Sequence, residues 1–190
     1  MITDKLPRNK LHKEEYLRSN DLRTINLPPM EPLRTLSVRL RNALSQEDLR
    51  LIQLESNAIS AAFAAAYAVK AAKIKVLGAR PHRVTETSSY ELFGDYTLET
   101  ACIRLWMRTA IIQKPTSFGT LLSTLCHELC HHLDVVSWGF PNTFHTRGFY
   151  ERAALLYHHV RGTPVRQLVW VELAGGCYRI NWAETMRNHG

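Results

Sequence analysis

His127, Glu128 and His131 form an H-E-x-x-H sequence, HELCH, within a run of helix-forming residues. Residues four apart on a helix share one face about one turn apart, so two imidazoles there can grip one cation. Glu128 projects beside them, where a carboxylate can hold a water and accept its proton without being a ligand. The expected cofactor is one zinc ion, which with three protein ligands keeps a fourth position open and brings a bound water from a pKa of 15.7 to about 7. On a helical wheel at about 100° per residue, Phe118, Leu122, Leu125, Cys126, Leu129 and Leu133 make an apolar stripe. His127 and His131 fall roughly opposite it, with Thr120, Thr124 and Asp134. A pair of purely structural histidines is the competing reading.

A third ligand must come from elsewhere in the chain. His145 follows His131 after a loop containing Gly139 and Pro141, which can turn the chain back over the helix. Glu151, on the next helix, is the rival donor; if it binds, His145 is a loop residue. Arg147, Tyr150 and Tyr157 are candidate donors to a developing oxyanion. Asp134 is either a partner that orients a ligand imidazole or a simple helix-end acid. His132 points about 100° away from His131 and belongs to solvent or the core edge. His158 and His159 sit near a helix end, where imidazolium suits the dipole. Cys126 and Cys130 flank the apolar stripe and read as packing residues.

This pattern of H-E-x-x-H, a loop, then H-x-x-x-F followed by an aromatic resembles the SprT-like zinc metallopeptidases and their small zincin relatives. It rests on His127, Glu128, His131, His145, Phe149 and Tyr150 and covers about residues 116–160. The resemblance implies His127, His131 and His145 as zinc ligands and Glu128 as general base. It also implies that the strand around Thr100–Thr109 borders the cleft and pairs with an extended peptide. Thr146 stands where several members carry Gly, and no C-x-x-C pair is present to build their C-terminal zinc ribbon. The implied function is zinc-dependent hydrolysis of peptide bonds in a protein or peptide. A zinc-holding interaction module without turnover and a DNA-associated protease are the alternatives.

The elements that would position these residues follow from pattern. Ser45 is placed to cap a long Leu- and Ala-rich scaffold helix from Gln46 to about Ala72, with Leu51, Leu54, Ala58, Ala61, Ala62, Ala65 and Val69 on its apolar face. Short strands are expected at Lys73–Leu77 and Arg83–Thr87, and a longer one across residues 97–112 with Ile103, Leu105 and Met107 on one face. Gly94-Asp95 suits a turn. Thr116 or Ser117 caps the H-E-x-x-H helix, which runs to about Asp134. A second helix spans Thr146–Val160 and stops at Gly162 and Pro164. A hairpin follows: Gln167–Leu173, a turn at Gly175-Gly176, then Cys177–Trp182. The expected class is α+β and zincin-like, with a small, mainly antiparallel sheet. The domain would cover residues 45–190. Residues 1–44, with four prolines among charged residues, read as a basic, partly ordered extension with a short helix at Lys10–Ser19.

Composition bounds the partners. The 190 residues are 45% hydrophobic and 22% charged, as in ordinary globular chains. No apolar run approaches the roughly 20 residues of a membrane helix, and MITDKLPRNK has no secretory core, so no membrane partner and a cytoplasmic location are expected. Net charge is +7, with the excess at the two ends. Basic ends can attract nucleic acid, and a solvated basic surface is the plainer reading. The terminal hairpin carries Arg166, Trp170, Tyr178, Arg179 and Trp182, which suit either cross-strand pairing or nucleic acid. The four cysteines read as reduced thiols. Nothing in the pattern fixes the oligomeric state.

Overall fold

A computed structural model describes residues 1–84 and 89–187. The chain is mixed α+β. Helices α1 (Lys10–Asp21), α2 (Met30–Ser45) and α3 (Leu49–Ala66) precede strands β1 (Lys73–Ala79), β2 (His82–Val84), β3 (Ser89–Glu91), β4 (Gly94–Thr97) and β5 (Cys102–Arg108). Then come α4 (Phe118–Val136), α5 (Arg147–Arg161), the hairpin β6 (Trp170–Leu173) and β7 (Cys177–Ile180), and α6 (Trp182–Arg187).

The central sheet has the order β1-β5-β4. β1 runs parallel to β5, and β4 runs antiparallel to it. The remaining described strand pairs, β2 with β3 and β6 with β7, are antiparallel. Ile103, Leu105 and Met107 of β5 are buried, as their alternation predicts. The expected strand over residues 97–112 is shorter, because a turn at Leu98–Ala101 divides it from β4. Gly94 and Asp95 lie in β4 rather than in a turn. The strand expected at Arg83–Thr87 survives as β2; residues 85–87 lie outside the described residues.

Residues 1–44 are not a loose extension. Leu33, Ser37, Leu40, Ala43 and Leu44 give α2 a buried helical stripe, and Leu33 and Leu40 are fully buried in the main core. Pro32 does not interrupt this helix, because its missing N–H falls in the first turn, where the donor has no helical partner. Asn9 caps α1 by accepting from the N–H groups of Leu11 and His12. Thr3 donates from its backbone N–H to the Tyr178 carbonyl at 2.8 Å, and Ile2 bridges Arg179, so the first residues extend the hairpin along β7.

The scaffold helix is α3, capped by Asp48, whose carboxylate accepts from the N–H groups of Arg50 and Leu51; Ser45 instead ends α2. Its buried face is Ile52, Glu55, Ser56, Ile59, Ser60, Phe63 and Ala64, not the Leu51–Leu54 face. Polar residues disguise that face, and two of them have polar partners. Glu55 pairs with Arg39 at 2.6 Å, and the Ser60 hydroxyl donates to the Ala72 carbonyl at 2.9 Å. Helix α4 lies against β4 and β5 on one side and α5 on the other, while α5 also meets α1 and α2. The metal-ligating candidates therefore sit on elements gripped from several sides. No described helix is long and apolar enough to cross a membrane.

Candidate metal centre

Ser117 caps α4 by accepting from the Thr120 N–H at 3.1 Å. Leu122, Leu125, Cys126, Leu129 and Leu133 anchor the helix in the core, and this leaves His127 and His131 together on a partly buried face. Beyond α4 the chain bends at Gly139, whose φ of 71° is left-handed, and returns with His145 just before α5. Thr146 caps α5 through the Phe149 N–H at 3.0 Å, fixing the backbone next to His145.

The Nε2 atoms of His127, His131 and His145 form a nearly equilateral triangle, with separations of 3.2, 3.1 and 3.2 Å. Among the described residues, these three are close enough together to hold one metal ion. Zinc–nitrogen bonds of about 2.0–2.1 Å in a tetrahedral site set the ligand nitrogens roughly 3.3 Å apart, so the triangle fits such an ion. Phe149, fully buried, packs its ring centroid 5.0, 4.4 and 5.0 Å from those of His127, His131 and His145. It is an apolar platform touching all three imidazoles. In the protein without metal, burial drives the His127 imidazole down to about 3, with His145 adding to the effect. Burial and the two neighbouring rings take His131 to about 2. Both rings are thus neutral near pH 7, the state in which a nitrogen lone pair can bind a cation.

Glu128 is 7% exposed and faces β4. The strand can lie this close because Gly94 has no side chain: a Cβ there would come 2.5 Å from Thr124 Cγ2 and 3.3 Å from Glu128 Cγ. Burial, reinforced by Asp95, raises the Glu128 carboxyl to about 8 when no cation is bound. β5, by contrast, is paired on both edges and has no free edge for a peptide. The sheet edge beside the site belongs to β4, whose other edge pairs with no described strand.

The other candidates separate into distinct roles. Glu151 is not at the triangle; it accepts from Trp170 Nε1 at 3.2 Å and pairs with Arg23 at 3.5 Å. Asp134 is fully buried against Arg152 at 2.8 Å and makes no hydrogen bond to the three imidazoles. Tyr150 stacks on His145, with centroids 5.6 Å apart, while its hydroxyl donates to the Ile2 carbonyl at 3.0 Å. The Arg147 guanidinium lies over the Tyr178 ring. Tyr157 lines a groove that begins at His127 and accepts a hydrogen bond from Arg161. His132 is buried between the Tyr96 hydroxyl at 3.0 Å and the Lys70 carbonyl at 2.8 Å, a core-edge tie. His158 and His159 meet Thr163 and the Pro28 carbonyl, structural contacts at the end of α5. The four cysteines are free thiols, and burial pushes Cys126 and Cys130 well above the usual thiol range.

The carboxylate that does approach one of the three imidazoles is Asp4. Its Oδ2 accepts from the His145 backbone N–H at 2.8 Å and lies 3.6 Å from His145 Nδ1. The hydrogen bond with His145 holds the Asp4 carboxyl below its ordinary value. No sequence signal marks it: Asp4 is a single acid in a basic stretch, 141 positions from its partner. Comparison of the chain with protein-family models, with curated proteins and with solved structures returns no match.

Proposed function

We propose that the chain is a zinc-dependent metallopeptidase with a zincin-like, SprT-like active site, acting on a peptide or protein substrate. The observation that carries this reading is the convergence of three Nε2 atoms to within 3.2 Å, with the buried Glu128 carboxyl beside them. His127, His131 and His145 would hold the ion. Zinc bound there supplies Lewis acidity toward a carbonyl and acidifies water at neutral pH.

The chain's own residues do the rest. Phe149 and the buried face of α4 keep the three imidazoles preorganised, and burial keeps those of His127 and His131 neutral. The Glu128 carboxylate accepts a proton from the attacking water as its oxygen bonds to the peptide carbonyl carbon. It then returns the proton to the departing nitrogen as the C–N bond breaks, leaving a carboxylic acid and an amine. The Glu128 carboxyl, raised to about 8 by burial, would fall toward neutrality beside a bound cation, the range in which one group serves as base and then as acid. The open edge of β4 suits a substrate bound as an added strand, through backbone hydrogen bonds that do not depend on side-chain identity.

The test is Glu128→Gln, compared with wild type for zinc content and for hydrolysis of a denatured protein. A peptidase keeps its zinc and loses turnover. Equal, undetectable turnover in both proteins with full zinc occupancy supports an interaction module instead.

A further inference from the structure

A groove of about 950 Å³ begins at His127 and Tyr150 and passes between α4, α5 and the C-terminal segment. No Asp or Glu is among its lining residues, whereas Arg161 and Arg166 are. Neither guanidinium meets a carboxylate among the described residues. Arg161 donates to the Tyr157 hydroxyl, and Arg166 lies against the Met186 sulfur. The remaining wall is largely apolar, including Ala153, Ala154, Leu168 and Ile180.

Distance along α4 converts this lining into a register. Arg161 faces Gly119: a Cβ on that glycine would lie 3.6 Å from Arg161 Nη1. Gly119 precedes His127 by eight residues, or about 12 Å of helix at roughly 1.5 Å per residue. An extended peptide covers about 3.3 Å per residue, so that distance corresponds to three or four substrate positions.

We infer that this groove receives one arm of an extended substrate and selects an acidic side chain three or four residues from the scissile bond, with apolar residues between. The proposal rests on the metallopeptidase reading for its register, not for its charge preference. The apolar wall favours a peptide over a polynucleotide, which would need a longer run of cations along its backbone.

The test uses full-length, zinc-loaded Glu128→Gln protein and apolar peptides ending in a hydroxamate, a metal-chelating group that fixes register. One series carries the hydroxamate at the C-terminus, the other at the N-terminus. Glu, Gln or Lys occupies the third or fourth position from it. In one series Glu binds about tenfold tighter than Lys, the scale of two semi-exposed ion pairs. Adding Arg161→Glu and Arg166→Glu reverses the order. Glu and Lys within twofold of each other in both series overturn the proposal, as does displacement of the Glu peptide by an equal concentration of oligothymidylate. The same sequences without hydroxamate are also tested on chelator-treated protein. There the Glu preference persists, since the arginines act independently of metal; its absence overturns the proposal. A protein that takes up no zinc yet keeps that preference sinks the peptidase reading and leaves the basic, acid-selecting groove standing.

Discussion

Asp4 grips His145 at two points, accepting its backbone N–H at 2.8 Å and lying 3.6 Å from its Nδ1. The return hydrogen bond, from the Asp4 N–H to the His145 carbonyl at 2.9 Å, locks the two backbones together. A carboxylate behind a ligand imidazole fixes the ring and raises its basicity, and removing it typically costs about 10–100-fold in metal affinity. Asp4→Ala is therefore expected to weaken zinc binding by that factor in a chelator competition. Retention of wild-type affinity within a factor of about two would show that the contact only tethers the segment.

Arg152 joins the first helix to the site. Buried beside Asp134 at 2.8 Å, it also donates through Nη1 to the carbonyls of Ser19 at 2.7 Å and Leu22 at 2.6 Å. Removing one partner of a buried ion pair strands the other charge, at a cost of about 3–5 kcal/mol. Arg152→Met is expected to lower stability by that amount in denaturant titration. A loss below about 1 kcal/mol would mean that α1 docks by other contacts.

Gly148 permits the same docking. A Cβ there would lie 2.3 Å from the Ser19 carbonyl oxygen and 2.6 Å from that of Asn20. These are backbone atoms and cannot swing aside. Gly148→Ala is expected to cost about 1–3 kcal/mol through overpacking, read as a lowered melting temperature. An unchanged melt would show that α1 and α5 can separate without penalty.

The metal-free protein has a defined pH response. Burial favours the protonated Glu128 carboxyl, so its contribution to stability is full below pH 4.5 and is lost as pH rises through about 8. The buried neutral rings act oppositely. Their contribution is full above pH 6.5 and is lost as pH falls through about 3 for His127 and about 2 for His131. Chelator-treated wild type should therefore lose stability relative to Glu128→Gln between about pH 4.5 and pH 8, and level off above that. A pH-independent difference would place Glu128 in water in the absence of metal.

The parts legible in the sequence were those with strong local signals. The cap at Thr116 or Ser117, the helix start near Thr146, the stop at Gly162 and the spacing of His127 and His131 outline α4 and α5. His145 stood out beside its rival Glu151 because a loop with Gly139 and Pro141 can turn the chain back and because the H-x-x-x-F-aromatic pattern resembles that of the SprT-like metallopeptidases. Two features were concealed by composition: the stripe of α2, behind prolines that lie before the helix or in its first turn, and the core face of α3, behind Glu55, Ser56 and Ser60. Asp134 was open to two meanings, because only the fold shows that Arg152 is its partner. Asp4 was invisible, since a contact across 141 positions leaves no periodic trace. The parallel pairing of β1 with β5 is non-local in the same way.

X-ray absorption at the zinc edge, on protein purified with zinc supplied and compared with His145→Ala, addresses the metal triangle most directly. One equivalent of zinc with four nitrogen or oxygen donors is expected, three of them showing the outer-shell scattering of an imidazole ring, with one ring lost in the variant. Substoichiometric zinc, or a coordination shell unchanged by His145→Ala, would contradict it.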